Sequence, residues 1–177
     1  MSQSIKVLLT EEEVSKRIAE VAEEINRDYN GEPIHMICIL KGGVMFMCEL
    51  SKRIKSDVTF DFMVVSSYGR NTESSGVIKI LKDADEDVTG KNVLLVEDII
   101  DTGKTLNKLK QLLMTRGPKS VKICTLLDKP SRRVEKEVHV DYRCFRIPNK
   151  FVIGYGLDYE QKYRNLPYIG VVEFDEE

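Results

Sequence analysis

Val93-Leu-Leu-Val-Glu-Asp-Ile-Ile-Asp-Thr-Gly-Lys-Thr105 begins as an apolar run and meets two adjacent carboxylates, then a third. It passes through Thr-Gly-Lys-Thr into a stretch where Leu106, Leu109, Leu112 and Leu113 recur at helical spacing. The Val- and Leu-rich part, predicted as a strand over 92–98, lacks polar alternation, the pattern of a strand covered on both faces. Strand, acidic end, glycine-containing turn and helix follow within a few residues, an order that belongs to the units of a parallel α/β sheet.

The same order recurs on the N-terminal side. Ile34-His-Met-Ile-Cys-Ile-Leu40 is a second apolar run of strand length, followed by the turn Lys41-Gly42-Gly43 and a predicted helix over about 44–55. Before it, Thr10 and Glu13 form a capping box, and Val14, Ile18, Val21, Ala22 and Ile25 mark a first amphipathic helix. Val58, Phe60, Phe62 and Val64 alternate at strand period, the polar stretch 66–76 is long enough for a functional loop, and 77–81 returns as a strand. Beyond the central stretch, Arg116-Gly117-Pro118 stops the helix and Ser120-Val-Lys-Ile-Cys-Thr-Leu-Leu127 is a further strand. The expected fold class is therefore α/β: a central, mostly parallel sheet with helices on both faces. Residues 1–177 are expected to form a single domain, the N-terminal segment and about 130–177 supplying a small hood. Ligands of such sheets sit at the carboxyl ends of the strands, here Leu40 to Gly43, Glu97 to Thr105, and Leu127 to Lys129.

Composition narrows the function. The chain has 177 residues, of which 42% are hydrophobic and 32% charged, with 27 basic against 29 acidic side chains. A chain of this length buries roughly 70% of its unfolded surface and needs no disulfide or structural metal to fold. The slightly acidic balance speaks against a nucleic-acid partner, which calls for a basic stripe. No apolar run reaches the roughly 18 residues of a membrane helix, and the start Met1-Ser-Gln-Ser-Ile-Lys lacks the apolar core of a signal peptide. The cytoplasm is the expected location, and Cys38, Cys48, Cys124 and Cys144, widely spaced, read as reduced and mostly buried.

The central stretch also carries chemistry. A helix N-terminus offers N–H groups without intrahelical acceptors and the positive end of its dipole, so the turn Asp101-Thr102-Gly103-Lys104-Thr105 can hold a phosphate. It is not the nucleotide loop that ends in Gly-Lys-Thr, because the glycine required five residues before Gly103 is Asp98. Carboxylates beside a phosphate repel it, so Glu97 and Asp98 make sense when a sugar diol and magnesium share the site: they accept from ribose hydroxyls or act on metal-bound water.

The run Glu97 to Thr105 resembles the signature of the type I phosphoribosyltransferases, which use phosphoribosyl diphosphate (PRPP), and Asp101 matches the form found in members acting on 6-oxopurines. The resemblance runs from about residue 5 to residue 174. It implies transfer of the 5-phosphoribosyl group from PRPP to hypoxanthine or guanine, with Asp101 as the base that takes a proton from the purine and Mg2+ as cofactor. Lys41 and Gly42 would form a diphosphate loop next to an unusual, often cis, peptide, with Arg164 also on diphosphate. Ser67 and Tyr68 would belong to a mobile lid, and Lys129, Phe151 and Val152 would bind the purine. Asp158 would hold a second magnesium, while Glu97 and Asp98 hold the first directly or through water. By residue type alone, Phe151 reads as a core aromatic, and Lys129 and Arg164 read as surface charges. A homodimer or homotetramer is also implied. The lid from Arg70 to Ser75 and the run Ser131-Arg-Arg-Val-Glu-Lys-Glu137 depart from the family pattern, which bears on lid kinetics and subunit contacts.

Overall fold

The computed structural model describes residues 3–67 and 78–174. Its elements run β1 (Gln3–Leu9), α1 (Glu11–Tyr29), β2 (Ile34–Leu40), α2 (Val44–Ser51), β3 (Val58–Ser67), β4 (Ile78–Lys82), β5 (Asn92–Ile100), α3 (Lys104–Met114), β6 (Ser120–Asp128), β7 (Tyr142–Arg146), β8 (Val152–Ile153) and β9 (Ile169–Phe174). Six strands form one sheet in the order β4-β3-β2-β5-β6-β7, and of its neighbouring pairs only β3 with β4 is antiparallel. A separate antiparallel sheet, β1-β9-β8, forms the hood.

The missing alternation in β2 and β5 has its cause in the packing. Met36, Cys38, Leu94 and Val96 face a cluster with Val14, Ile18, Val21 and Ile25 of α1 and with Phe46 and Leu50 of α2. Ile37, Ile39, Val93 and Leu95 point the other way, into a cluster with Leu106, Leu109 and Leu113 of α3. Helices therefore cover both faces. The start of α1 is fixed as its sequence predicts: Glu13 N–H donates to Thr10 Oγ1 at 3.2 Å and Thr10 N–H donates to Glu13 Oε2 at 2.8 Å.

Of the elements that differ from the sequence expectation, four have their cause in the packing. Helix α2 stops at Ser51 rather than near 55, because Asn26 on α1 accepts from Lys55 N–H at 2.8 Å and donates to Arg53 O at 3.0 Å, drawing these backbone groups out of helical pairing. Strand β3 runs two residues beyond 65, where β4 continues the pairing as Ser66↔Lys79 and Ser67↔Ile78. Strand β5 continues past its carboxylates to Ile100, held by the pairs Ile99↔Leu127 and Ile100↔Asp128 with β6. Strand β7, in the segment expected to supply the hood, instead joins the edge of the main sheet beside β6, with Tyr142 and Cys144 buried.

Candidate active site

The site lies where β2, β5 and β6 end and the hood loop after β8 meets them. Asp98 Oδ1 accepts from Ile99 N–H at 2.7 Å, and Glu97 Oε1 accepts from Asp98 N–H at 3.2 Å. Over Asp98 lies the turn after β2, whose Leu40–Lys41 peptide is cis, as the resemblance implies. A Cβ at position 42 would stand 1.7 Å from Asp98 Oδ2, so only glycine lets this turn rest on the carboxylate. Gly156, with φ of +101°, packs on the same turn: a Cβ there would lie 2.0 Å from the Gly42 carbonyl oxygen. Two glycines thus close the gap between sheet and hood.

Burial raises the proton affinity of both Glu97 and Asp98. The neighbouring charge of Asp98 pushes Glu97 further up, while Asp98 is eased by its hydrogen bond with Glu97, by the Ile99 N–H and by the charge of Arg164. The pair therefore gives up its last proton at a higher pH than separate carboxylates do.

Beside it, a cavity of about 200 Å³ is lined by Glu97, Asp98, the turn 99–103, Thr105 and Leu106. Gly103, at φ +83°, enters α3 without any side-chain cap, and the first N–H groups of a helix find no acceptor inside it. The turn expected to hold a phosphate thus stands at the start of α3, where Lys104 N–H donates to Thr102 Oγ1 at 3.4 Å. Asp101 Oδ1 accepts from Arg132 Nε at 3.2 Å in a half-exposed pair. Lys129 N–H donates to Ile100 O at 3.0 Å, which seats it next to Asp101. Burial lowers the pKa of Lys129; the Asp101 charge opposes that shift and Arg132 adds to it.

On the hood side, Lys41 Nζ and Arg164 Nη2 both donate to Gln161 Oε1 at 3.3 Å. Arg164 also donates to Gly156 O at 2.7 Å and pairs with Asp158 at 2.8 Å, and Asp158 Oδ2 accepts from Gln161 N–H at 2.8 Å. Two cations 123 positions apart in sequence share one oxygen, an arrangement suited to an anion. Arg164 is accordingly no free surface charge. Phe151 is 50% exposed, contrary to the core reading of its residue type, and stands edge-on to Tyr159 with ring centres 5.6 Å apart. Val152 opens β8 and is buried. Ser67 is the last residue of β3; Tyr68 lies outside the described residues. Among the described residues no group of three or more His, Cys, Asp or Glu is gathered as a metal site, and no helix is long and apolar enough to cross a membrane.

A larger cavity, about 460 Å³, opens at the opposite, amino ends of β2, β3 and β5. Its polar groups engage one another: Glu32 binds Lys119 at 2.6 Å and Asn92 at 2.9 Å, and His35 Nδ1 meets Thr59 Oγ1 at 2.8 Å. It shares no residue with the smaller cavity. Sequence reasoning overlooked Gln161, Arg132 and Gly156. Gly156 carried a faint signal, a second glycine two places after Gly154, between Val152 and Asp158; Gln161 and Arg132 carried none.

The turn into α3, the paired acids, and the converging lysine and arginine gather at one end of the sheet, and the chain belongs to the phosphoribosyltransferases: the phosphoribosyl transferase domain family matches residues 4–160. Among its relatives is the hypoxanthine-guanine phosphoribosyltransferase of Streptococcus thermophilus, 48% identical over 95% of this chain and 93% of that one. The hypoxanthine phosphoribosyltransferase of Buchnera aphidicola is 50% identical over 98% and 99%. In three dimensions the chain is similar to a crystal structure of a hypoxanthine-guanine phosphoribosyltransferase from Bacillus anthracis, with a TM-score of 0.91, 46% identity, and 98% of this chain and 100% of that one covered.

Proposed function

We propose that the protein is a purine salvage enzyme that transfers the 5-phosphoribosyl group of PRPP to hypoxanthine or guanine, releasing diphosphate and yielding the nucleoside monophosphate. The observation that carries this reading is the convergence, at one end of the sheet, of the phosphate cradle, the paired acids Glu97 and Asp98, and Lys129 beside Asp101. The relatives' names support the purine as acceptor.

The residues divide the work as follows. Thr102, Gly103, Lys104 and Thr105 bind the 5'-phosphate at the start of α3, and Glu97 and Asp98 accept from the ribose hydroxyls. Lys41, Gly42 and Arg164 receive the diphosphate, exchanging Gln161 Oε1 for an anionic oxygen. The bond from the first ribose carbon to diphosphate breaks, and the ninth ring nitrogen of the purine bonds to that carbon. The proton on the seventh ring nitrogen passes to the Asp101 carboxylate, which first leaves Arg132. Lys129 donates to the 6-oxo group, Phe151 offers its exposed face to the purine, and Val152 supplies main-chain hydrogen bonds. The lid with Ser67 and Tyr68 keeps water from the electrophilic sugar.

The donor set fits magnesium. Glu97 and Asp98 are adjacent hard oxygen donors whose proton affinity is raised by burial and, for Glu97, by the neighbouring Asp98 charge, and magnesium takes one or two carboxylates together with substrate oxygens and waters. Glu97 and Asp98 would hold one ion and Asp158 a second. When bound, magnesium supplies positive charge to the departing diphosphate. The proposed setting is the cytoplasm and the proposed assembly a homodimer or homotetramer. Partners are PRPP and a 6-oxopurine base, without nucleic acid or membrane.

The test is purified protein with PRPP and magnesium, offered hypoxanthine, guanine, xanthine and adenine separately, with nucleotide and diphosphate both quantified. Magnesium-dependent formation of inosine or guanosine monophosphate is expected. Absence of product from every base, with PRPP still bound, would overturn the enzyme reading and leave the family fold in place.

A further inference from the structure

The segment after β6 forms the outer wall of the turn that opens α3. Val134 N–H and Glu135 N–H both donate to Thr102 O at 3.0 Å. Arg133 is mostly buried, its side chain 16% exposed, and it reaches in two directions. Its Nη2 donates to Asp128 Oδ1 at 2.5 Å and its Nε to the Asp101 carbonyl at 3.2 Å. Its stem underlies the cradle as well: a Cβ at Gly103 would come within 3.0 Å of Arg133 Cδ and 2.7 Å of Val138 Cγ1.

Asp128 is itself fixed. It is 2% exposed, ends β6 opposite Ile100, and accepts a second charged hydrogen bond from Arg143 Nη1 on β7 at 2.9 Å. A buried carboxylate between two guanidinium groups has little freedom to move, and planar Arg–carboxylate pairing sets direction as well as distance. The main sheet thus holds Asp128, Asp128 aims Arg133, and Arg133 holds the first carbonyl of the cradle.

The geometry points to Arg133 as a positioning residue for PRPP: acting through Asp128, it fixes the peptide after Asp101 and the floor under Gly103, so that the N–H groups of 102–105 converge on the 5'-phosphate. This rests on the reading of the site as a PRPP site. Lysine at 133 keeps a cation for Asp128, but its single ammonium lacks the fork that joins carboxylate and carbonyl.

The test compares wild type, Arg133→Lys and Arg133→Ala by calorimetric PRPP binding with magnesium, steady-state kinetics and thermal melting. A charged hydrogen bond of this kind corresponds to about tenfold or more in affinity. Both variants are expected to weaken PRPP binding, and to raise its KM, about tenfold or more, with the KM for hypoxanthine within about twofold. The lysine variant is expected to melt near wild type, which separates positioning from loss of fold. Wild-type PRPP affinity in Arg133→Lys would overturn the inference, as would equal losses toward PRPP and hypoxanthine. A wild-type protein that binds no PRPP would overturn the parent reading, and this one with it.

Discussion

Replacing Gly156 by alanine tests whether the contact between hood and sheet sets the site. The new Cβ would stand 2.0 Å from the Gly42 carbonyl oxygen, where Cβ contacts below 3.0 Å essentially never occur. That oxygen is backbone and cannot rotate aside, so hood and turn must part by about 1 Å. Gly156 also binds Arg164 twice, donating its N–H to Arg164 O at 2.9 Å and accepting from Arg164 Nη1 at 2.7 Å. The displacement therefore carries Arg164 and Asp158 away from Lys41. A misplacement of about 1 Å costs on the order of 10²-fold in rate, and left-handed backbone without glycine adds about 1–2 kcal/mol of instability. Gly90→Ala is the control: it has φ of +70° but open space around its Cβ, in the turn before β5 at the far end of the sheet. Its melting temperature should fall by about 2–4 °C per kcal/mol lost, with catalysis intact. The assay is kcat/KM for PRPP with hypoxanthine as acceptor, alongside melting curves. Gly156→Ala within about twofold of wild type in kcat/KM, or matched losses in both variants, would refute the reasoning.

Three further outcomes are expected. Asp101→Asn should still bind PRPP yet lose roughly 10²-fold or more in turnover, and near-normal turnover would remove Asp101 from the role of base. Lys129→Ala should weaken hypoxanthine binding far more than PRPP binding in parallel titrations; equal losses would count against its contact with the 6-oxo group. For Glu97 and Asp98 the folded state binds more protons than the unfolded one, so their contribution to stability falls as pH rises above the ordinary carboxylate range. As pH rises above that range, melting curves of the ligand-free wild type should lose ground to those of Glu97→Gln, and magnesium with PRPP should reverse the trend in the wild type. Parallel curves for the two proteins would contradict the shared proton.

The sequence was most informative where the determining interactions are local. The capping box needs only Thr10 and Glu13, three residues apart. The strands β2 and β5 declare themselves because both of their faces are covered, which forces continuous apolar runs. The turn from β5 into α3 was readable for the same reason: a strand, a glycine that tolerates φ of +83° and a helix start all fall within residues 97–105. Where a tertiary contact overrode local preference, the reading slipped. Helix α2 ended early at Asn26, and β5 ran past its acids because β6 offered partners to Ile99 and Ile100.

Residue types and their spacing therefore determined the fold class, the strand-to-helix turn at 97–105, the adjacent acids before it and, through the order of motifs, the family. The tertiary structure alone decided that Gly156 rests on Gly42, that Lys41 and Arg164 share Gln161, and that Arg133 links Asp128 to the Asp101 carbonyl. Periodicity and capping record interactions within about one turn of helix or one strand pair. Contacts between groups 30 to more than 100 residues apart leave no such mark, because they depend on where the sheet and hood bring the chain together.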